Sequence, residues 1–347
     1  MSDINVIQKR DEDLDLLRAF SIFWVMIVHC LYWPNILDQG VGISILLIEM
    51  PIIFFITGAS NIYAKKRSLM NFYKRRLLRV LKPYEVFAII NIILLYITHQ
   101  DINFTNIIRW ILPYGYQYTD IFFLPWHLWF MPVYILLVLI LPILLFFYRK
   151  NISKYYIVLV QFALILFYFK PELLSNSKLE FYIPTVLFYS FWTAIGFEFK
   201  RIRELRRNNN MILPLVFTLL GIGIMYMIYR TNPEISFNMQ DNKIPVKLMF
   251  SAYSLIAMSV FYILAPGIIF VLKKLKDFKY FNLIINSYNV NGFSIYLFHP
   301  FIFLLLFHFY RAELESMNKT ISTIIIMVLI TNLSPLLGWV LGKLGIR

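Results

Sequence analysis

An all-α, polytopic membrane protein is the fold class this sequence predicts, on three observations. The 347 residues are 60% hydrophobic and only 15% charged, against about 25% charged in an ordinary soluble domain. The apolar residues gather into runs long enough to cross about 30 Å of hydrocarbon. The 33 Lys and Arg lie mainly in short connections between those runs, where they orient a chain in a bilayer rather than recruit nucleic acid. Twelve glycines and fifteen prolines, with no low-complexity linker, point to one domain over residues 1–347. The single cysteine, Cys30, leaves no intramolecular disulfide and no cysteine metal cluster.

Ten spans are expected, near residues 16–34, 41–63, 84–98, 126–148, 155–170, 181–198, 211–229, 247–272, 288–310 and 320–342. The residues before the first run are acidic and show no small-residue cleavage pattern, so that span is read as the targeting signal itself. Residues 64–83 interleave apolar and basic side chains at helical spacing. They are expected to form an amphipathic helix on the inner interface, ended by Pro83. The long outer loop from His99 to Pro125 carries Trp110, Tyr114, Tyr116 and Tyr118, suited to an interface belt or to stacking on a sugar ring. With a cytoplasmic N-terminus, 24 of the 33 cations fall on inside segments and eight on outside ones. That asymmetry predicts a multi-pass inner (plasma) membrane protein with both termini cytoplasmic and membrane lipids around it.

Within the first span, Arg18 and His29 are ionisable residues that do not belong in lipid without a reason. They are eleven positions apart, which returns to nearly the same helix face roughly 16 Å further along the axis. One face thus offers a cation near one membrane surface and a proton-transfer group well inside. A long, thin anionic molecule such as a coenzyme A thioester fits that spacing, with phosphates on the cation and an imidazole near the reactive end. Arg18 snorkelling to headgroups and His29 bonding a neighbouring helix is the plainer alternative.

Glu49, at a similar expected depth in the second span, is read as an acid that orients His29; a neutral carboxyl bonded between helices is the alternative. In the basic run Lys74, Arg75, Arg76, Arg79 and Lys82, Arg76 and Arg79 are assigned to the phosphate site, although attraction to lipid headgroups explains much of the run. Trp126, His127 and Trp129 are expected to form an acceptor platform, with Tyr296 and His299 closing the site; packing is the competing reading of both groups. His99, Asp101, Asp120 and His308 show no metal-ligand spacing, and no metal is expected.

Taken together, these residues resemble acyltransferase family 3, membrane-bound acyltransferases that modify bacterial cell-envelope glycans. The stretch Leu14-Asp15-Leu16-Leu17-Arg18-Ala19 followed by His29 is similar to the family's opening, in which ten residues separate an arginine from a histidine. Phe54-Phe55-Ile56-Thr57-Gly58 is similar to its Phe-Phe-x-x-Ser-Gly signature, with Thr57 in place of Ser. Arg76 to Arg79 followed by Pro83-Tyr84 resembles its basic stretch, and Trp126–Phe130 and Tyr296–His299 its later motifs. Leu16-Leu17 and Glu49 depart from the family pattern.

The resemblance implies ten spans, a cytoplasmic acyl-CoA donor, usually acetyl-CoA, and transfer to a hydroxyl of a saccharide or glycan at or beyond the outer face. Arg18, Arg76 and Arg79 would contact the donor and His29 would be the general base. Cys30 points about 100° from His29 on the helix, which favours direct attack by the acceptor over a cysteinyl intermediate. The competing class is a transporter or flippase for a lipid-linked or acylated saccharide; the two halves of the chain show no repeat of the kind such carriers use.

Overall fold

In a computed structural model of the protein, residues 11–34, 40–64, 68–98, 104–113, 127–174 and 177–346 are described. Among them the secondary structure is helical, without a strand. The helices are α1 (Glu12–Tyr32), α2 (Val41–Ser44), α3 (Glu49–Ile62), α4 (Leu69–Ile97), α5 (Phe104–Ile111), α6 (Phe130–Arg149), α7 (Ser153–Phe169), α8 (Ser177–Phe197), α9 (Phe199–Arg207), α10 (Ile212–Thr231), α11 (Gln240–Lys243), α12 (Leu248–Leu275), α13 (Lys279–Ser316) and α14 (Lys319–Lys343).

Each of the ten expected runs coincides with a helix, but among the described residues only eight helical segments are long and apolar enough to cross a membrane. One of these, Val41–Ile62, joins α2 to α3 through a turn. The fifth expected run is the shorter apolar helix α7, and α8, with 21 residues, occupies the sixth. Outward-facing Val158, Phe162, Leu215 and Leu219 on α7 and α10 are the apolar surface that a bilayer, not water, solvates.

α1 is the axis of the bundle, packing against α3, α12, α13 and α14. Its start is fixed locally: the Asp11 carboxylate accepts the Leu14 N–H at 3.2 Å, and Glu12, Asp13 and Asp15 sit in the first turn, at the positive end of the helix dipole. α3 meets α8 at a glycine crossing. A Cβ on Gly58 would run into the Thr193 carbonyl, and one on Gly196 into that of Phe55. The glycine closing the Phe54–Gly58 segment therefore lets two backbones touch, as small residues do between membrane helices.

Two expectations are corrected. Pro83 does not end a helix: α4 runs from Leu69 to Ile97 with Pro83 inside it, so the basic segment and the third span are one continuous rod. A proline removes one N–H from the ladder, yet packing outweighs that loss, because Val80, Tyr84, Phe87 and Ala88 are buried against Trp110, Leu128, Met131 and Leu297. Trp110, in turn, is a core residue and not a sugar platform; it is 1% exposed, and its carbonyl accepts the Tyr84 hydroxyl at 2.8 Å. Tyr114, Tyr116 and Tyr118 lie outside the described residues.

Candidate functional site

A cavity of about 940 Å³ opens between α1, α3, α4, α6 and α13. Arg75, Arg76 and Arg79 of α4 line it together with Arg18 of α1, while Met50, Phe130 and Tyr296 line its other reaches. The helical repeat explains the arginines: residues 75, 76 and 79 are spaced to share one face of α4, and that face turns toward α1.

Each predicted cation is held differently. Arg18 donates from Nη1 to Asp15 Oδ1 at 2.7 Å and to Asn289 Oδ1 at 2.9 Å, and from Nη2 to Ser60 Oγ at 2.7 Å, so it ties α1 to α3 and α13. Arg76 donates to Asn61 Oδ1 and lies over the Phe72 ring at 5.5 Å. Arg75 and Arg79 are exposed on α4 and line the cavity. Asp11 and Asp15 are the acids of the same lining. Asp15 is paired with Arg18, and Asp11 with Arg203 at 2.8 Å, so among the described residues the α4 arginines are the cations of the lining that have no carboxylate partner.

At the mouth, Asp11 also accepts the Tyr63 hydroxyl at 2.9 Å. Burial raises the Asp11 pKa, but the bonds from Tyr63, the Leu14 N–H and Arg203 outweigh it and hold the carboxyl below its ordinary value. Burial, then the bond to Asp11, pushes the Tyr63 phenol up to about 12.

His29 is paired with a histidine. Its Nδ1 lies 2.7 Å from His299 Nε2, and His299 Nδ1 lies 2.8 Å from the Tyr296 carbonyl oxygen. A carbonyl only accepts, so the proton of His299 is on Nδ1 and its Nε2 offers a lone pair when the ring is neutral. His29 Nδ1 must then be the donor, and the remaining lone pair of neutral His29 is on Nε2. Trp33, one turn after His29, stacks on it at 4.1 Å and on His299 at 4.9 Å. Tyr296 closes the distance to the cavity: it is one of the lining residues, and its ring centroid is 6.3 Å from that of His29.

Glu49 is not the partner of His29 that the sequence suggested. Its carboxylate pairs with Lys243 of α11, and both side chains are buried, at 2% and 7% exposed. A carboxylate in that setting takes the cation that removes its charge from the low-dielectric interior. Lys243 also stands over the Trp129 ring at 5.8 Å.

Of the expected acceptor platform, Trp126 lies outside the described residues. His127 and Trp129 are buried, at 1% and 6% exposed. The His127 carbonyl accepts the Tyr296 hydroxyl at 2.6 Å, and the His127 ring meets His299 edge-on at 5.5 Å. His299 is fully buried and positioned against His29. Sequence reasoning missed Lys243 and Trp33; only Trp33 carries a local signal, its four-residue spacing from His29. Among the described residues no group of three His, Cys, Asp or Glu is placed to hold a metal ion.

Arginines around an internal cavity, with half-buried His29 and buried His299 one ring beyond it, define a multi-pass membrane protein with an interior polar site. The chain belongs to acyltransferase family 3: the family model, an acyltransferase domain, matches residues 11–341. It is a membrane acyltransferase. No curated protein and no solved structure matches it significantly.

Proposed function

We propose that this acyltransferase moves an acyl group, acetyl in the simplest case, from a cytoplasmic acyl-CoA to a hydroxyl of a cell-envelope saccharide. The observation that carries the reading is the cavity of about 940 Å³ that has four arginines in its wall and Tyr296 beside His29. Guanidinium groups suit phosphate oxygens, so Arg76 and Arg79, with Arg75 and Arg18, would take the nucleotide end. The pantetheine arm would run along α1 toward Phe130 and Tyr296. The excess of cations on the connections flanking α1's start supports donor entry from the cytoplasm of an inner-membrane protein with both termini on that side.

In the proposed step, the acceptor hydroxyl oxygen bonds to the thioester carbonyl carbon as His29 Nε2 takes the hydroxyl proton. The tetrahedral intermediate then collapses, the C–S bond breaks, and the imidazolium returns that proton to the departing thiolate. His299 holds the His29 tautomer that leaves Nε2 free to act as a base. Cys30, buried at 2% exposed, takes no acyl group in this scheme.

The test is the acyl content of envelope glycans, measured by mass spectrometry in cells holding equal membrane amounts of wild type or His29→Ala. Loss of a general base predicts a fall of about 10²–10⁴-fold. Unchanged acylation, with saccharide export depending on the wild type, would replace this reading with a carrier.

A further inference from the structure

A second cleft, separate from the arginine-lined cavity, opens among α1, α3, α8, α9, α10 and α12. It is narrow, about 50 Å³, and walled by Trp192, Phe217, Met258, Phe261 and Ala265, with Arg203 and Arg206 of α9 also lining it. The charges beside it do not balance. Asp11 pairs with Arg203 at 2.8 Å, Glu12 with Lys276 at 2.8 Å, and Asp13 with Lys273 at 2.7 Å and with Arg203 at 4.0 Å. Arg206, the other arginine of the cleft wall, has no carboxylate oxygen within 4.0 Å among the described residues, and Asp13 acts on it only from beyond that distance. It is half-buried, and burial draws its pKa below the ordinary arginine value. Among the described residues Trp192 Nε1, in the cleft wall, is buried without a hydrogen-bond partner.

A half-buried guanidinium without a counter-ion is costly, and phosphate is the anion its planar fork matches best. A slot only a few water-sized positions wide, walled by aromatic and aliphatic side chains, excludes a sugar or a nucleotide and accepts hydrocarbon. The two features adjoin in a membrane-embedded chain, and Asp11, which caps the start of α1, bonds Arg203 of the same α9 helix. That places the cleft's charged end at headgroup level.

We propose that this cleft is a specific site for one anionic phospholipid of the leaflet on the α1-start side, its phosphate on Arg206 and one acyl chain among Trp192, Phe217 and Met258. The Arg203–Asp11 bridge stands between this lipid and the large cavity, since Arg203 lines the cleft and Asp11 lines the cavity. The lipid therefore does not compete with an acyl donor for space, and its binding is independent of acyl transfer.

The test is native mass spectrometry of the full chain in detergent, titrated with phosphatidylglycerol or phosphatidylcholine. Wild type is expected to retain one phosphatidylglycerol in preference to phosphatidylcholine. Arg206→Gln lowers that retention about tenfold, the scale of one charge-assisted phosphate contact. Arg207→Gln, an exposed neighbour on the same helix, changes it by less than about twofold. Ala265→Trp, which fills the slot without touching charge, also lowers retention, and His29→Ala leaves it intact. Equal losses in the two arginine variants would reduce the effect to diffuse headgroup attraction and overturn the site. Unchanged retention in Ala265→Trp, or full displacement by inorganic phosphate, would overturn the seating of a lipid chain.

Discussion

Lys243→Met tests the assignment of Glu49 most directly. Methionine keeps the length and apolar stem of lysine and deletes only the charge, leaving the Glu49 carboxylate 2% exposed with no cation. Among the described residues its second oxygen, Oε2, already lacks a hydrogen-bond partner, so none of them absorbs the loss. Breaking one side of a buried ion pair costs roughly 3–5 kcal/mol. Removing both charges in Glu49→Gln/Lys243→Met is expected to return stability to within about 1–2 kcal/mol of wild type, since a buried pair is close to neutral against an uncharged replacement. The assay is denaturant or thermal unfolding of the purified protein in detergent, read as a double-mutant cycle. A single variant within about 1 kcal/mol of wild type would refute the argument, as would a double variant no more stable than Lys243→Met. Acyl transfer by the double variant separates the two roles: activity stays near wild type if His299 alone holds His29, and falls like His29→Ala if Glu49 acts on the imidazole.

Three further outcomes follow from the same geometry. Gly58→Ala should cost about 1–3 kcal/mol in the same unfolding assay, because its Cβ meets the Thr193 backbone, whereas Gly223→Ala, with nothing within 4 Å of the new carbon, should be near neutral. Asp11→Asn should destabilise the protein at pH 7 and lose its effect on acidification: the folded pKa is depressed, so the contribution is present above the unfolded value of about 4 and vanishes as pH falls through the folded one. A melting-temperature series from pH 3 to 8 reads this directly. His299→Phe keeps a ring against Trp33 but removes the acceptor that fixes His29. It should lower kcat about 10²-fold and shift the pH–rate profile while leaving the donor KM near wild type, a split that a merely structural defect would not give.

The sequence exposed the parts of the site that local periodicity can carry. Arg18 and His29 share a face because eleven residues nearly close three helical turns, and Arg76 and Arg79 face the cavity for the same reason. What stayed hidden lies far along the chain. Lys243 meets Glu49 across 194 positions and His299 meets His29 across 270, and no spacing within one helix encodes such pairs. Pro83 misled in a different way: a breaker rule that holds for isolated helices gave way to the packing of Val80, Tyr84 and Phe87 against α5, α6 and α13. Trp129 and Trp110 misled because an aromatic residue near a membrane surface carries the same composition signal whether it faces a sugar or a core.

The bonding of Arg18 changes what its position on α1 means. Asp15, Asn289 and Ser60 take donors from both of its terminal nitrogens, and Asp15 cancels its charge at 2.7 Å. An arginine so held contributes little net potential to the cavity. It works first as a brace that fixes α1 between α3 and α13, and so sets the height at which His29 stands beyond Tyr296. The attraction for an anionic donor then rests on α4, whose Arg75 and Arg79 have no carboxylate within 4.0 Å among the described residues and whose Arg76 is held by the neutral amide of Asn61. Because α4 is one rod through Pro83, the helix that presents those cations also buries Tyr84 and Phe87 beside His127 and Phe298. The charged mouth and the aromatic floor under the histidines are thus held in fixed register by a single helix.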